Sequence, residues 1–260
     1  RRIGSNPAFI ANISSQLLPG ETIRENPSES KLLNATKISG RSDNGLGLGF
    51  FNAVTKRGFA RVENSLGEER LIETHPLSNY NILVLDQSLK NNSSVTFLNT
   101  NVIRQGSAYD ANVSSFLANL NDRNNKYYVS GAGKFSYVGA EAPGGSNNSG
   151  FNYELGAGKK SGNFTWGYGF DLSDNKFDPT DLGYFNNNNF ISHSFDIGYN
   201  IYTPWKIFNR FNTYMGIFRT HRFLPRAFQS SRASTGGYFE FKNFWTLNLD
   251  FYKQFICQHY

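Results

Sequence analysis

A chain of 260 residues with 16% aromatic side chains, 25 glycines and only 38% apolar residues is poor in the aliphatic residues that fill an ordinary globular core. No run of about 18 apolar residues occurs, which excludes a membrane-crossing helix and leaves crossing by strands open. The net charge of +6 comes from Lys and Arg dispersed without a basic block, which argues against nucleic acid, and the lone Cys257 excludes an internal disulfide.

Residues 1–30 carry Pro7, Pro19, Gly20 and Pro27 among polar neighbours, show no sustained period, and read as an irregular opening segment or lumenal loop. Residues 31–260 read as a single β domain. Its first strands are expected at Leu32 to Ser39 and Leu46 to Thr55, joined by the polar turn Asp43, Asn44 and Gly45. Residues 56–76 are charged and irregular, with Glu68, Glu69 and Arg70, and read as a loop. Strands follow at Asn79 to Leu89, Ser94 to Arg104, Asn112 to Leu120 and Lys126 to Val138, separated by short Asn-rich turns. Residues 139–150 read as a Gly/Ser/Asn loop, and Phe151 to Lys159 as the next strand.

The clearest strand is Asn163 to Ser173. Phe164, Trp166, Tyr168, Phe170 and Leu172 alternate with Thr165, Gly167, Gly169, Asp171 and Ser173, so one face is wholly apolar and the other small or polar. Residues 177–189 form a loop. Ile191 to Tyr202 then repeats the alternation with Phe195, Ile197 and Tyr199, and Pro204 marks a turn. Phe211 to Arg219 and Gly236 to Lys242 are weaker strands around a basic loop holding His221, Arg222, Arg226 and Arg232. The segment from Trp245 to Phe255 closes the series with Trp245, Leu247, Leu249 and Phe251 on its apolar face.

Roughly a dozen strands of about 9 to 11 residues, joined by short hairpins, predict an all-β, up-and-down antiparallel transmembrane barrel. Phe164, Trp166, Tyr168, Phe170, Leu172, Phe195, Ile197, Tyr199, Trp245, Leu247, Leu249 and Phe251 are the expected lipid-facing residues. Asn, Ser, Gly and charged residues, Lys134, Asp171, Asp196, Glu240 and Asp250 among them, are expected to face the lumen. A soluble sandwich would need a large second layer over so uniformly aromatic a face, and none is encoded.

No catalytic, cofactor or metal constellation emerges, and the chain is not expected to be an enzyme. Gly45, Gly47 and Gly49 have no following helix to bind a phosphate, and His75, His193, His221 and His259 have no ligand spacing. Asp174, Asp178 and Asp181 gather near Asn175, but turn chemistry accounts for them and the spacing is not that of an EF-hand. Arg222 and Arg226 belong to the one notable basic cluster, suited to lipopolysaccharide phosphates or an acidic partner.

Several blocks occur in an ordered series: Arg1 to Gly4, Lys37 to Arg41, Gly45 to Thr55, Pro76 to Tyr80, Tyr109 to Val113 and Phe177 to Tyr184. The series resembles the C-terminal barrel domain, of unassigned function, of large outer-membrane proteins in which a module resembling family-nine carbohydrate-binding modules comes first. The resemblance covers about the first 190 residues. It implies a bacterial outer-membrane location, contact with lipid and lipopolysaccharide, and a barrel continuing beyond both ends of this chain. It also implies glycan binding or passage, with Tyr184 and Phe185 as loop candidates beside Arg222 and Arg226. The alternative is a structural barrel subunit that docks other outer-membrane proteins or lipoproteins. The resemblance supplies no catalytic residues.

Overall fold

The structure is a computed structural model that describes residues 13–139, 148–181 and 187–256. Among them one short 3-10 turn, Ile13–Gln16, accompanies fifteen strands. Three strands form a small sheet: β1 (Thr22–Glu25), β4 (Gly58–Glu63) and β5 (Glu69–His75), in the order β1-β4-β5. The other twelve are β2 (Leu32–Arg41), β3 (Leu46–Thr55), β6 (Ser78–Leu89), β7 (Ser93–Arg104), β8 (Ala111–Asn121), β9 (Tyr127–Val138), β10 (Asn148–Lys159), β11 (Phe164–Ser173), β12 (Phe190–Ile201), β13 (Phe208–Arg222), β14 (Ala227–Phe241) and β15 (Thr246–Ile256). They make a single antiparallel meander from β2 to β15, in which every strand pairs with its neighbour in sequence once the β4–β5 hairpin is set aside. The sheet is not closed, since β2 and β15 each have one partner.

The two ends of the sheet differ. Tight turns at 42–45, 90–92, 122–126 and 160–163 gather at one end, where Gly45, Asn91, Asn92, Asn125 and Gly162 take positive φ. These are the residues that tolerate the left-handed conformation a short hairpin needs. The connections after β3, β7, β9, β11 and β13 emerge at the opposite end, called here the loop end.

Alternation settles the two faces of the sheet. Residues directly opposite on paired strands share a face, so Phe164 and Tyr199, Trp166 and Ile197, and Tyr168 and Phe195 stand together, with Thr165, Gly167 and Gly169 on the other side. The sheet curls around that second side: side chains from β7 to β12, among them Thr96, Asn119, Ser130, Glu154, Asp171 and Ser194, line one cavity of about 510 Å³. Near the loop end the concave side holds a small core of Ala53, Tyr80, Val102, Tyr109, Ala111 and Val138, against which Phe51 packs. The convex side has no such cover, and Phe116, Val129, Leu155, Met215 and Phe251 are each more than half exposed there.

Several segments differ from the sequence reading. The part of 1–30 that is described contains a 3-10 turn and β1, and residues 56–76 hold the β4–β5 hairpin instead of an irregular loop. Ile13, Ala60, Val62 and Ile72 bury their side chains together, and Leu17 packs on them, which is why these three short strands hold. Arg24 bonds Glu63 (2.5 and 3.0 Å) and Arg70 bonds Glu21 (2.6 and 2.9 Å) on the exposed side of this unit. The strand β10 starts at Asn148, inside the expected 139–150 loop. The basic loop shrinks to 223–226, because His221 and Arg222 end β13 and Arg232 lies within β14.

His75 closes the small sheet. It is 1% exposed, its Nδ1 lies 2.8 Å from Thr74 Oγ1, and its Nε2 has no partner among the described residues. Burial pushes its pKa below the ordinary value. The unfolded chain therefore takes up the proton first, so the stability of this unit is complete above about pH 6.5 and is lost as pH falls from there toward the depressed folded value. Hydrogen exchange of residues 58–75, corrected for intrinsic rates, is expected to show lower protection at pH 5 than at pH 7. A His75→Gln variant is expected to lose that dependence.

Candidate functional site

The concave face concentrates the charged side chains of the large sheet, and most of them are paired. Arg41 bonds Asp86 at 2.5 Å, and Thr96 Oγ1 donates to the other oxygen of the same carboxylate at 2.7 Å. Lys134 bonds Glu154 across β9 and β10, Arg210 bonds Glu240 at 2.7 Å, and Tyr214 donates to Asp250 at 2.6 Å. Asn152, 3% exposed, donates to Asp171 at 2.8 Å and to Leu172 O at 3.1 Å, while its own Oδ1 has no partner among the described residues. The cavity is thus walled by hydroxyls, amides and carboxylates. The carboxylates stay hydrogen-bonded, as groups removed from bulk water must.

At the loop end the segment after β11 turns inward over this face. Asp174 Oδ1 accepts from the backbone N–H of Lys176 (3.1 Å) and Phe177 (2.7 Å), and Asp178 Oδ1 accepts from the N–H and hydroxyl of Thr180 (2.9 and 2.6 Å). These are Asx turns, in which a short side chain replaces a backbone partner. The turned segment is held down at three points. Asp178 N–H donates to Ser136 Oγ at 2.9 Å, Phe177 is 2% exposed, and the backbone at Lys176 and Phe177 passes so close to Gly150 that a Cβ there would meet Phe177 N at 2.1 Å. Only glycine fits beneath it.

A fourth hold is an ion pair. Asp181 receives a charge-assisted hydrogen bond from Arg104, at the end of β7, and the two side chains are 6% and 2% exposed. Arg104 also donates to Tyr109 O at 2.7 Å, its backbone N–H donates to Asp110 Oδ1 at 2.7 Å, and its guanidinium lies 4.6 Å from the centre of the Tyr109 ring. Burial, with the Asp181 charge second, pushes the Tyr109 phenol up to about 12. Four strand spacings separate β11 from β7, so the strap reaches about 19 Å across the concave face.

The residues expected to face lipid fall on one side. Phe164, Trp166, Tyr168, Phe170 and Leu172 of β11, Phe195, Ile197 and Tyr199 of β12, and Leu247, Leu249 and Phe251 of β15 share the convex face, and Trp245 sits in the turn before β15 with 75% of its surface exposed. Lys134, Asp171, Asp196, Glu240 and Asp250 are on the concave face, as the alternation implied. Arg222 and Arg226 are exposed at the loop end, the end from which the strap springs, while Tyr184, Phe185, Cys257 and His259 lie outside the described residues. Asn189 joins the two loops there, exchanging 2.8 Å hydrogen bonds with the backbone of Leu224. The carboxylates of Asp174, Asp178 and Asp181, gathered in sequence, have separate duties: two shape turns and one pairs with Arg104.

Sequence reasoning missed Arg104 altogether. Its partner is 77 positions away, and nothing local distinguishes it from other strand-end arginines. Asn is also misassigned to a single face: Asn52, Asn81, Asn101 and Asn112 stand on the convex side beside Phe50, Leu83 and Phe116.

The fold and this site define a class: an all-β chain built on one open, twelve-stranded antiparallel sheet with an apolar convex face and a polar, strapped concave face. Residues 1–260 match the family described as a domain of unknown function (DUF5916), and the chain belongs to that family. No curated protein and no solved structure matches it.

Proposed function

We propose that this chain forms most of the wall of a bacterial outer-membrane β-barrel whose polar lumen binds or admits glycans at the cell surface. The observation that carries the reading is the convex face. Eleven spacings between twelve strands make it about 53 Å wide, and over strands of ten or more residues its area is far beyond the few hundred Å² of contiguous apolar surface that a soluble monomer exposes. Strands of ten to fifteen residues are long enough to cross a bilayer. The basic side chains on that face, Lys159, Arg219 and Lys253, all lie within four residues of a strand end, close enough to reach the headgroups.

Closure is part of the proposal. All ten residues of β2 and all eleven of β15 are exposed, and unpaired strand edges in hydrocarbon are not tolerated. Further strands therefore pair with these two edges and complete the ring. The loop end faces outward, because barrels of this class carry short turns on the periplasmic side.

The glycan reading rests on the resemblance to barrels that follow a carbohydrate-binding-like module, together with the chemistry of the cavity. The hydroxyls of Ser94, Thr96, Ser130, Ser192 and Ser194 and the amide of Asn119 suit a polyhydroxylated ligand. The reading assigns no reaction, since Glu154 and Asp171 are engaged by Lys134 and Asn152. Outer-membrane fractionation followed by liposome swelling with neutral sugars tests it. Swelling, or saturable sugar binding without swelling, is the expected outcome, and a membrane-inserted protein that does neither removes the glycan function.

One observation favours a second reading, a structural subunit of a larger assembly. The Asp174–Asp181 strap lies across the concave face and narrows it from within. Under that reading the protein leaves the membrane in mild detergent with stoichiometric protein partners and does not conduct.

A further inference from the structure

A run of aromatic rings stands on the concave side of β13, β14 and β15, beside the cavity that β7 to β12 enclose. The register sets the concave residues of these strands in rows. Four consecutive rows hold Asn212 with Tyr238 and Asn248, Tyr214 with Gly236 and Asp250, Gly216 with Ser234 and Tyr252, and Phe218 with Arg232 and Gln254. Each row has one ring, and its other positions are glycine or a side chain that hydrogen-bonds. Rows lie two residues apart, so the rings climb about 20 Å of the wall. Phe218 is directly opposite Ser194, which lines the cavity, so the ladder ends at the cavity's edge.

These rings do not fill a core. Tyr214 and Phe218 are exposed, and Tyr252 is exposed by 77%. Two of the rings are braced against the wall. A Cβ on Gly236 would meet Tyr214 Cε1 at 2.9 Å, so the absence of a side chain there lets the Tyr214 ring lie close to the sheet, with its hydroxyl tied to Asp250. Arg210 places its guanidinium 5.2 Å from the centre of the Tyr238 ring, and the Tyr238 hydroxyl donates to Glu240 at 3.2 Å.

We infer that this ladder is a binding track for an uncharged, linear oligosaccharide, whose sugar rings stack in succession on Tyr238, Tyr214, Tyr252 and Phe218. The inference rests on the glycan reading above and gives it a wall and a ligand class. A pyranose carries C–H groups on its faces and hydroxyls around its rim, so it needs a flat apolar surface with donors and acceptors alongside. Every row supplies both: Asn212 and Asn248 beside Tyr238, Asp250 beside Tyr214, Ser234 beside Tyr252, and Gln254 beside Phe218. Charge selects against ionic ligands. The charged side chains of the ladder and of the row next to Tyr238 are Arg210, Arg232, Glu240 and Asp250, which sum to zero, so an anionic sugar or a phosphate meets no net attraction. A track of this length exceeds what a single sugar covers, and affinity therefore grows with chain length.

The test uses the full-length protein, purified in mild detergent after its membrane insertion has been scored by fractionation. The probes are glucose, maltohexaose and cellohexaose, titrated calorimetrically. One of the two hexaoses is expected to bind saturably and about tenfold or more tighter than glucose. Tyr214→Ala with Tyr252→Ala is expected to weaken that hexaose about tenfold or more, while Tyr214→Phe, which keeps the ring, stays within about threefold of the parent. Tyr252→Ala alone is expected to weaken it about threefold, and at so exposed a position it keeps the test intact if the double variant fails to insert. Glucose bound as tightly as either hexaose, hexaose binding indifferent to both tyrosines, or a preference for a neutral hexapeptide would each overturn the ladder while sugar binding or swelling still upholds the glycan reading. An inserted protein that neither binds nor admits any of the three sugars removes the glycan reading, and the ladder with it.

Discussion

Replacing Arg104 by Met is expected to lower stability by about 3–5 kcal/mol, the cost of leaving a buried carboxylate without its partner. The magnitude follows from burial: with Arg104 2% and Asp181 6% exposed, water cannot replace the lost guanidinium. Two further contacts depend on that side chain, the hydrogen bond to Tyr109 O and the stacking on the Tyr109 ring. Urea unfolding of the detergent-solubilised protein measures the loss. Limited proteolysis locates it, since cleavage is expected to appear within 174–189 before any strand is cut. A double variant, Arg104→Met with Asp181→Leu, is expected to recover most of the stability, because removing both charges also removes the desolvation cost of the pair. Failure of the double variant to recover would mean that the strap is held mainly by Phe177 and the close approach at Gly150, and not by the ion pair.

The strap was illegible in the sequence, and the reason is physical. An ion pair between β7 and the segment after β11 exists only because the meander curls, and curvature is a property of twelve strands together. The strands were legible where their two faces differ strongly in size. In β11, large aromatics alternate with Gly, Thr, Asp and Ser, and the structure runs Phe164–Ser173 against the expected Asn163–Ser173. The strand β14 was largely missed because Gln229 to Thr235 is small or polar on both faces, and pairing with β13 and β15 imposes the strand. The β4–β5 hairpin was hidden by Glu68, Glu69 and Arg70, although Ala60 and Val62 spaced by two and the turn Asn64 to Gly67 were its signal. Asn defeated the face assignment in β7 because Asn99 and Asn101 alternate with Thr100 and Val102. A polar residue beside a β-branched one says little about which side faces water, and only the register to Asn81 and Asn112 places them.

Leu155→Arg separates a lipid-covered convex face from a water-covered one. Leu155 is 57% exposed near the middle of β10, with Gly131 and Phe170 as its cross-strand neighbours. In water the change would be almost neutral, since little buried area is lost and an Arg stem can lie along the neighbouring apolar surface. In a bilayer an arginine at mid-height of the lipid face costs about 2–4 kcal/mol. We expect the second result: reduced insertion, and a lower unfolding free energy for the protein that does insert. Ser194→Arg is the matching control, because Ser194 lines the concave cavity on the neighbouring part of the wall and new charge there meets a polar surface. The pair is expected to differ by about 2 kcal/mol or more in favour of Ser194→Arg. Equal tolerance of both changes would put water on both sides of the sheet and remove the membrane reading.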